Sequence, residues 1–276
     1  MSRIAYDPVK DSFAGMIRGR RWLRTLFYKL LNLFFLRSWH VRSMVRHLHA
    51  INFSGYKKWN VLDAGSGFGQ YNRFLLDEFD NAVIRAVDVK ESYLEDCRSY
   101  FAGDIKNGRI TFENLDLLKL SIREKYDFVL CVDVMEHIKN DTAVLGNISR
   151  SLKDGGYFLM HSPSHRSGED AAEGEGSFVD EHARTGYSRN DIETKLRKTG
   201  LIPVEINYTY RKWGHASWII MIKWPMLMLN RLGMGAAILL PFYYLIFLIP
   251  GLIMMNADLT KSKEEGNGII VLAQKG

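Results

Sequence analysis

From residue 57 onward, short β-branched and apolar runs alternate with segments whose apolar positions recur every three to four residues. The runs are WNVLDA, AVIRAVDV, RITFENLDLL, YDFVLCVDV, GYFLMHSP, LIPVEINYTY and GIIVLAQK; YNRFLLDEF, YLEDCRSYF and the stretches 140–153 and 189–199 carry helical spacing. Strands separated by helix-length segments imply right-handed βαβ crossovers and a parallel sheet covered on both faces. FVLCV and YFLM are apolar at successive positions, as strands buried on both faces require. The pattern predicts an α/β, Rossmann-like doubly wound sheet of seven strands, with its ligand beyond the carboxyl ends of the strands.

Two stretches follow a different rule. On a helical wheel of residues 17–50, Leu23, Leu26, Phe27, Leu30, Phe34, Val41, Met44, Val45 and Leu48 share one arc, with Arg18, Arg21, Arg24, Lys29, Arg42 and Arg46 opposite. Arg37 interrupts the stripe and predicts a bend near Leu36 to Trp39. Residues 235–255 are uncharged throughout, long enough to cross a bilayer. Pro241 and Pro250 are expected to break that segment, and its partner, Ala216 to Asn230, looks too short for a return span. The expected division is a basic amphipathic segment at 1–56, a catalytic body at 57–212 and 264–276, and an apolar insert at 213–263.

Charge follows the same division. Between Ser12 and Leu62 there are ten basic residues and no acid, and between Ile206 and Ala257 four basic residues and no acid. Setting both aside leaves 23 basic residues against 31 acidic ones, so the chain's net +6 conceals a body of net −8. An acidic body argues against nucleic acid as a partner. The only cysteines, Cys97 and Cys131, have neither disulfide nor zinc spacing, which suits a reducing cytosol, and no secretory signal is recognisable.

The chemistry concentrates where the strand pattern places it. The first strand runs into Asp63-Ala64-Gly65-Ser66-Gly67-Phe68-Gly69, and Gln70 opens a helix. Glycines there let the backbone approach a ligand, and the helix N-terminus offers free N–H donors. The spacing is not the dinucleotide Gly-x-Gly-x-x-Gly. The second strand ends in Asp88, an acid placed to accept hydrogen bonds from a ribose diol. VLDAGSGFG, Asp88, NLDLL with Asp116, YDFVLCVDVMEHI and LKDGGYFLMHSP, in that order, resemble the class I S-adenosylmethionine-dependent methyltransferases over about residues 57–210 and the last strand. The resemblance implies a last strand antiparallel to the rest and S-adenosyl-L-methionine as cofactor. Its binding residues would be Asp63, Gly65, Ser66, Gly67, Gly69, Asp88, Val89, Asp116, Leu117 and Asp133.

A sulfonium methyl is already electrophilic, so the protein's tasks are alignment, exclusion of water and removal of a proton. DVMEHI resembles the small-molecule branch of the family. His137 is the expected base with Glu136 beside it, unless His137 only braces the loop. His182, after the Gly- and acid-rich stretch SGEDAAEGEGS, is its rival. His161 reads as packed or cofactor-side, and His165 as either. Asp170, Glu173 and Glu175 make a poor metal site.

For the N-terminal segment three readings compete: a cationic helix with Trp22, Tyr28 and Trp39 on an anionic membrane, a cap on the catalytic body, or an RNA-binding arm. For the insert, a hairpin dipping into one leaflet competes with a tilted two-span hairpin, a core helix or a dimer interface. Together these predict an O-methyltransferase on the cytoplasmic face of a membrane, acting on a lipophilic phenol, quinol or lipid-like acceptor. A catalytically silent scaffold and an enzyme for a soluble metabolite are the alternatives.

Overall fold

Period-two alternation along β1 (Trp59–Ala64) sends Trp59 and Val61 to one face of the central sheet and Leu62 and Ala64 to the other. The computed structural model describes residues 20–167, 183–260 and 265–276. Its seven strands stand in the order β3-β2-β1-β4-β5-β7-β6, with β2 Ala82–Asp88, β3 Ile110–Asn114, β4 Tyr126–Val132, β5 Leu152–Pro163, β6 Leu201–Thr209 and β7 Gly268–Lys275. β7 runs antiparallel between β5 and β6, and the other described pairs are parallel. The expected strands are all present. β4 is buried along nearly its whole length, as its unbroken apolar sequence requires.

Ten α-helices are described: α1 Arg21–Phe34, α2 Leu36–Asn52, α3 Gln70–Glu78, α4 Glu91–Tyr100, α5 Ala102–Lys106, α6 Asp141–Ser151, α7 Arg189–Lys198, α8 Lys212–Trp218, α9 Trp224–Leu232 and α10 Met234–Asp258. α6 and α7 cover one face of the sheet through Val144, Leu145, Ile148, Ile192 and Leu196. The other face is covered by α3, α4 and α2, whose Val41, Val45 and Leu48 join the core of Val61, Phe128 and Leu159. At roughly 1.5–3 kcal/mol per buried aliphatic side chain, those three residues fix α2 to the body. The stripe expected on residues 36–52 is therefore a core face. The bend lies at Phe35, whose backbone is extended.

α1 departs from its wheel. Arg24, expected on the exterior, is buried together with Tyr28, while Leu26 and Leu30 of the expected apolar arc stand exposed, as does Trp22. The inversion has a polar cause. The Arg24 guanidinium donates to Tyr28 Oη (2.6 Å), Asp96 O (2.7 Å) and Phe68 O (2.9 Å), so burying it leaves few donors unmet.

The insert is a helical hairpin. α8, a π-helical stretch Ile219–Lys223 and α9 form one continuous rod about 31 Å long at 1.5 Å per residue. This arm is longer than the segment expected from sequence. A turn at Gly233, with φ of +51°, leads into α10. Pro225 has no N–H, so one carbonyl of the rod, Ile220 O in π spacing or Met221 O in α spacing, loses its backbone donor. Two consecutive tyrosines of α10 replace it: Tyr243 Oη donates to Ile220 O (2.7 Å) and Tyr244 Oη to Met221 O (2.8 Å). Gly251 lets the rods close, since a Cβ there would lie 2.4 Å from Met221 Sδ. α10 continues through Pro241 and Pro250, contrary to expectation. Each proline removes one bond from the ladder, and the tyrosine bonds to Ile220 and Met221 hold the helix between the two gaps.

Candidate active site

The turn after β1 is built on three glycines with positive φ: Gly65 (+87°), Gly67 (+50°) and Gly69 (+79°). Gly65 is forced by contact as well as by backbone, because a Cβ would lie 2.2 Å from Val134 Cγ2. At Gly67 a Cβ would meet nothing within 4 Å, so this part of the turn presents bare backbone to open space. Asp88, at the end of β2, accepts from Gly67 N (2.8 Å) and Lys90 N (2.9 Å) and so holds the turn open. Each of its oxygens keeps a further lone pair for a hydroxyl. Exposed Val89 follows it. Asp116 accepts from Leu118 N (2.9 Å) and caps a short 3₁₀ turn that begins with buried Leu117.

Beneath the turn, Asp63 Oδ2 and Ser66 Oγ are buried with no hydrogen-bond partner among the described residues. Burial, followed by the charge of Asp88, pushes the Asp63 carboxyl up to about 7. Unmatched acceptor and hydroxyl groups beneath open backbone, with a carboxylate at the neighbouring strand end, fit a ligand carrying an amino group and a ribose diol. S-Adenosylmethionine has both.

The N-terminal helices roof this turn. Besides the Arg24 contacts, Tyr28 Oη donates to Phe68 O, and Gln70 Nε2 reaches Asn32 Oδ1 (2.7 Å) and Ser38 Oγ (3.2 Å). Arg37, the residue that broke the apolar stripe, forms an ion pair with Asp133 just beyond β4. Burial opposes the charge on Arg37, but Asp133 prevails and holds the guanidinium above its ordinary pKa. Asp133 itself sits at a φ of +53°, an uncommon conformation for a residue with a side chain, and its Oδ1 bonds His161 Nδ1 (2.7 Å). The other ring nitrogen of His161 meets Thr209 Oγ1 at 3.0 Å. Tyr210, also at positive φ (+54°), accepts from Arg37 N (3.2 Å) through its hydroxyl, which burial pushes up to about 12.

The expected catalytic residues are distributed differently. Glu136 and His137 lie on the 3₁₀ turn Met135–His137 at the carboxyl end of β4. Glu136 is buried and its carboxyl accepts from Ser162 Oγ (3.0 Å), while its backbone oxygen accepts from Ala183 N (2.8 Å). Burial first, then the neighbouring Asp133 charge, raises the Glu136 carboxyl to about 8. His137 is half-buried, and its backbone N–H bonds Val134 O. His161 is buried with both ring nitrogens engaged, which leaves none to receive an acceptor's proton. His165 lies beside Glu265 (3.7 Å) on a half-exposed loop. His182, Asp170, Glu173 and Glu175 lie outside the described residues. Sequence reasoning missed Tyr210 and Thr209, which carried no signal, and the inward roles of Arg24 and Arg37. Arg37's break in the stripe was the one available clue.

Comparison with known proteins agrees with this geometry. A family model described as a methyltransferase domain matches residues 62–158. The malonyl-[acyl-carrier protein] O-methyltransferase of Acetivibrio thermocellus is 24% identical over 118 residues, 43% of this chain and 40% of that protein. A ubiquinone biosynthesis O-methyltransferase from Rickettsia canadensis is 26% identical over 110 residues, 40% of this chain and 44% of that one. This chain thus spans less than half the length of these two curated relatives. Phosphoethanolamine N-methyltransferase 2 of Haemonchus contortus, solved with S-adenosyl-L-methionine, shares the fold with a TM-score of 0.60 at 19% identity, covering 95% of this chain and 60% of that one. The family match gives the chain a methyltransferase domain at residues 62–158, and the sheet order and the glycine turn give that domain the fold of the class I S-adenosylmethionine-dependent enzymes.

Proposed function

We propose that the protein methylates an oxygen of a lipophilic small molecule, a phenol, quinol or lipid-like acceptor, at the cytoplasmic face of a membrane. The observation that carries this reading is the apolar hairpin joined to the methyltransferase domain. Its helix Ile238–Asp258 is long and apolar enough to cross a membrane, and only 11% of its most apolar 18-residue window is buried. Phe242, Leu245, Ile246, Ile249 and Ile253 face outward. An exposed apolar surface of this kind calls for lipid or a partner. The satisfied carbonyls at Ile220 and Met221 suit surroundings without water. Oxygen as the acceptor atom is supported by the two O-methyltransferases among the relatives.

S-Adenosylmethionine, when bound, supplies an electrophilic methyl group. Asp88 would hold its ribose hydroxyls, Asp63 its amino group, and the backbone around Gly67 would lie against it. An acceptor hydroxyl with pKa near 10 must lose its proton, and a positioned base is worth about 10² to 10⁴ in rate. His137, at the carboxyl end of β4, is the residue we assign to that proton. The α1 and α2 roof excludes water on the N-terminal side.

The test is to incubate full-length protein with methyl-tritiated cofactor and a total lipid extract in mixed micelles, then partition into organic solvent. Label in the organic phase that survives alkali is expected, because an aryl ether resists hydrolysis while a methyl ester does not. Label confined to water-soluble acceptors would overturn the lipophilic reading.

A further inference from the structure

The V between α1 and α2 forms an open groove of about 510 Å³. Lys29 lines it from α1; Trp39, Arg42, Ser43 and Arg46 line it from α2; Leu259 closes one end. The α2 residues are spaced i, i+3, i+4 and i+7, so one helical face is given over to the groove. Leu259 directly follows Asp258, the last residue of the apolar span, which places the groove at the hairpin's polar end.

The cations are held in place. The guanidinium groups of Arg42 and Arg46 lie 5.1 and 5.5 Å from the centre of the Phe74 ring. Both reach one carboxylate: Arg46 Nε (2.6 Å) and Nη2 (2.5 Å) and Arg42 Nη2 (3.3 Å) bond Glu78. Three cations against one acid leave an excess of two positive charges. Arg42 Nε is buried with no partner among the described residues, and Arg42 Nη1, Arg46 Nη1 and Lys29 Nζ also make no hydrogen bond there. The Trp39 indole N–H is already used by Leu33 O (3.2 Å), so the ring presents an apolar wall. Two guanidinium groups held in position with N–H donors to spare, a lysine, a serine hydroxyl and an aromatic wall suit a phosphate ester carrying an apolar body.

We propose that this groove binds a phosphate ester, as a lipid headgroup or as a free phosphoester. The headgroup source rests on the membrane reading above, because an embedded hairpin would set its polar end, and with it the groove, at headgroup level.

Full-length protein and sedimented vesicles test this. Phosphatidylcholine vesicles report the hairpin, and adding about 20 mol% phosphatidic acid reports the groove. With roughly fivefold per basic residue, Lys29→Gln with Arg46→Gln is expected to cut the phosphatidic-acid-dependent gain about 25-fold while leaving phosphatidylcholine binding unchanged. Lys29→Glu alone removes no hydrogen bond made among the described residues, so its loss of the gain has no folding explanation. Lys57→Gln with Lys58→Gln, exposed basic residues outside the groove, should cost less than about twofold; an equal loss there means diffuse charge and overturns the proposal. Without vesicles, about 10 mM glycerol phosphate that raises the Tm of the wild type but not of Lys29→Glu identifies a free phosphoester, whereas a gain seen only on vesicles identifies the lipid. Absence of both responses overturns the site. Absence of binding even to phosphatidylcholine counts against the membrane reading, and the glycerol phosphate arm then still decides the groove.

Discussion

Replacing Glu136 with Gln is expected to stabilise the protein at alkaline pH, and the size of the effect follows from the carboxyl's surroundings. Glu136 is buried against Ser162 with Asp133 nearby, and burial followed by that charge raises it from 4.5 to about 8. Between those two pH values the folded protein keeps a proton that the unfolded chain has given up. Stability is therefore full below about 4.5, falls as pH rises through the window and levels off above about 8. Fully developed, that interval corresponds to about 5 kcal/mol, and about 2–5 kcal/mol is expected once the site relaxes around the charge. Glutamine keeps the shape and still accepts from Ser162 Oγ, but carries no charge at any pH. Urea unfolding of full-length protein in mild detergent at pH 6 and pH 8.5 should show the wild type losing stability with pH while Glu136→Gln loses far less. Asp63, raised to about 7, leaves a common residual slope in both. Equal slopes, or a variant weaker than wild type at pH 8.5, would refute the assignment. Since the carboxyl faces Ser162, turnover should survive within several-fold; a fall of about 10² would place Glu136 in the chemistry.

The turn glycines should separate folding from binding. Gly65→Ala, clashing with Val134 and strained at φ +87°, should lower Tm by several degrees. Gly67→Ala has open space around it, so it should cost only about 1 kcal/mol of stability yet weaken S-adenosylmethionine binding about tenfold or more by calorimetry. Tyr243→Phe with Tyr244→Phe removes both hydroxyl donors and strands the carbonyl that Pro225 leaves without one, so at about 1–3 kcal/mol for that group the double variant should show a lower Tm; an unchanged Tm would mean that water reaches the π-helical stretch. His137→Ala should lower turnover about 10²- to 10⁴-fold without changing cofactor affinity, and unchanged turnover would return His137 to a loop brace.

Most of the sheet was legible because strand periodicity and the glycine turn are local signals. GIIVLAQK reads as a strand and forms β7 over the same residues, Gly268–Lys275. The roof was not legible. Whether Arg24 faces water or Phe68 O depends on a partner 44 positions away, and a helical wheel assigns an arginine outward by default. Hairpin length failed for a related reason. Lys223 and Pro225 look like terminators, but tyrosines 20 or so positions later supply what Pro225 removes. Local rules located the ends of elements wherever local groups satisfied the backbone, and missed them wherever a distant side chain did so.

The same reasoning joins the hairpin to the cofactor turn. Asp258, buried at the end of α10, accepts from Arg211 N (3.0 Å) and Gly214 N (3.3 Å) on one oxygen and from Tyr210 N (3.1 Å) on the other, which also meets His40 Nε2 (3.0 Å). That one carboxylate caps the start of α8, ties down the end of α10 and reaches α2. Gly214 must be glycine for it to do so, since a Cβ would lie 2.7 Å from Asp258 Cγ and 2.5 Å from Leu36 Cδ2. Tyr210, bonded to Asp258 through its backbone, bonds Arg37 through its hydroxyl; Arg37 pairs with Asp133, and Asp133 with His161. Two links in this chain, Tyr210 and Asp133, sit at positive φ, a cost that the hydrogen bonds on either side offset. A displacement at the hairpin root therefore cannot relax locally. It must break one of the bonds in this chain, of which the neutral Arg37 N to Tyr210 Oη bond is the longest at 3.2 Å, or move the loop that carries Glu136 and His137, so the segment that would contact a lipid surface is mechanically continuous with the site where a methyl group would be transferred.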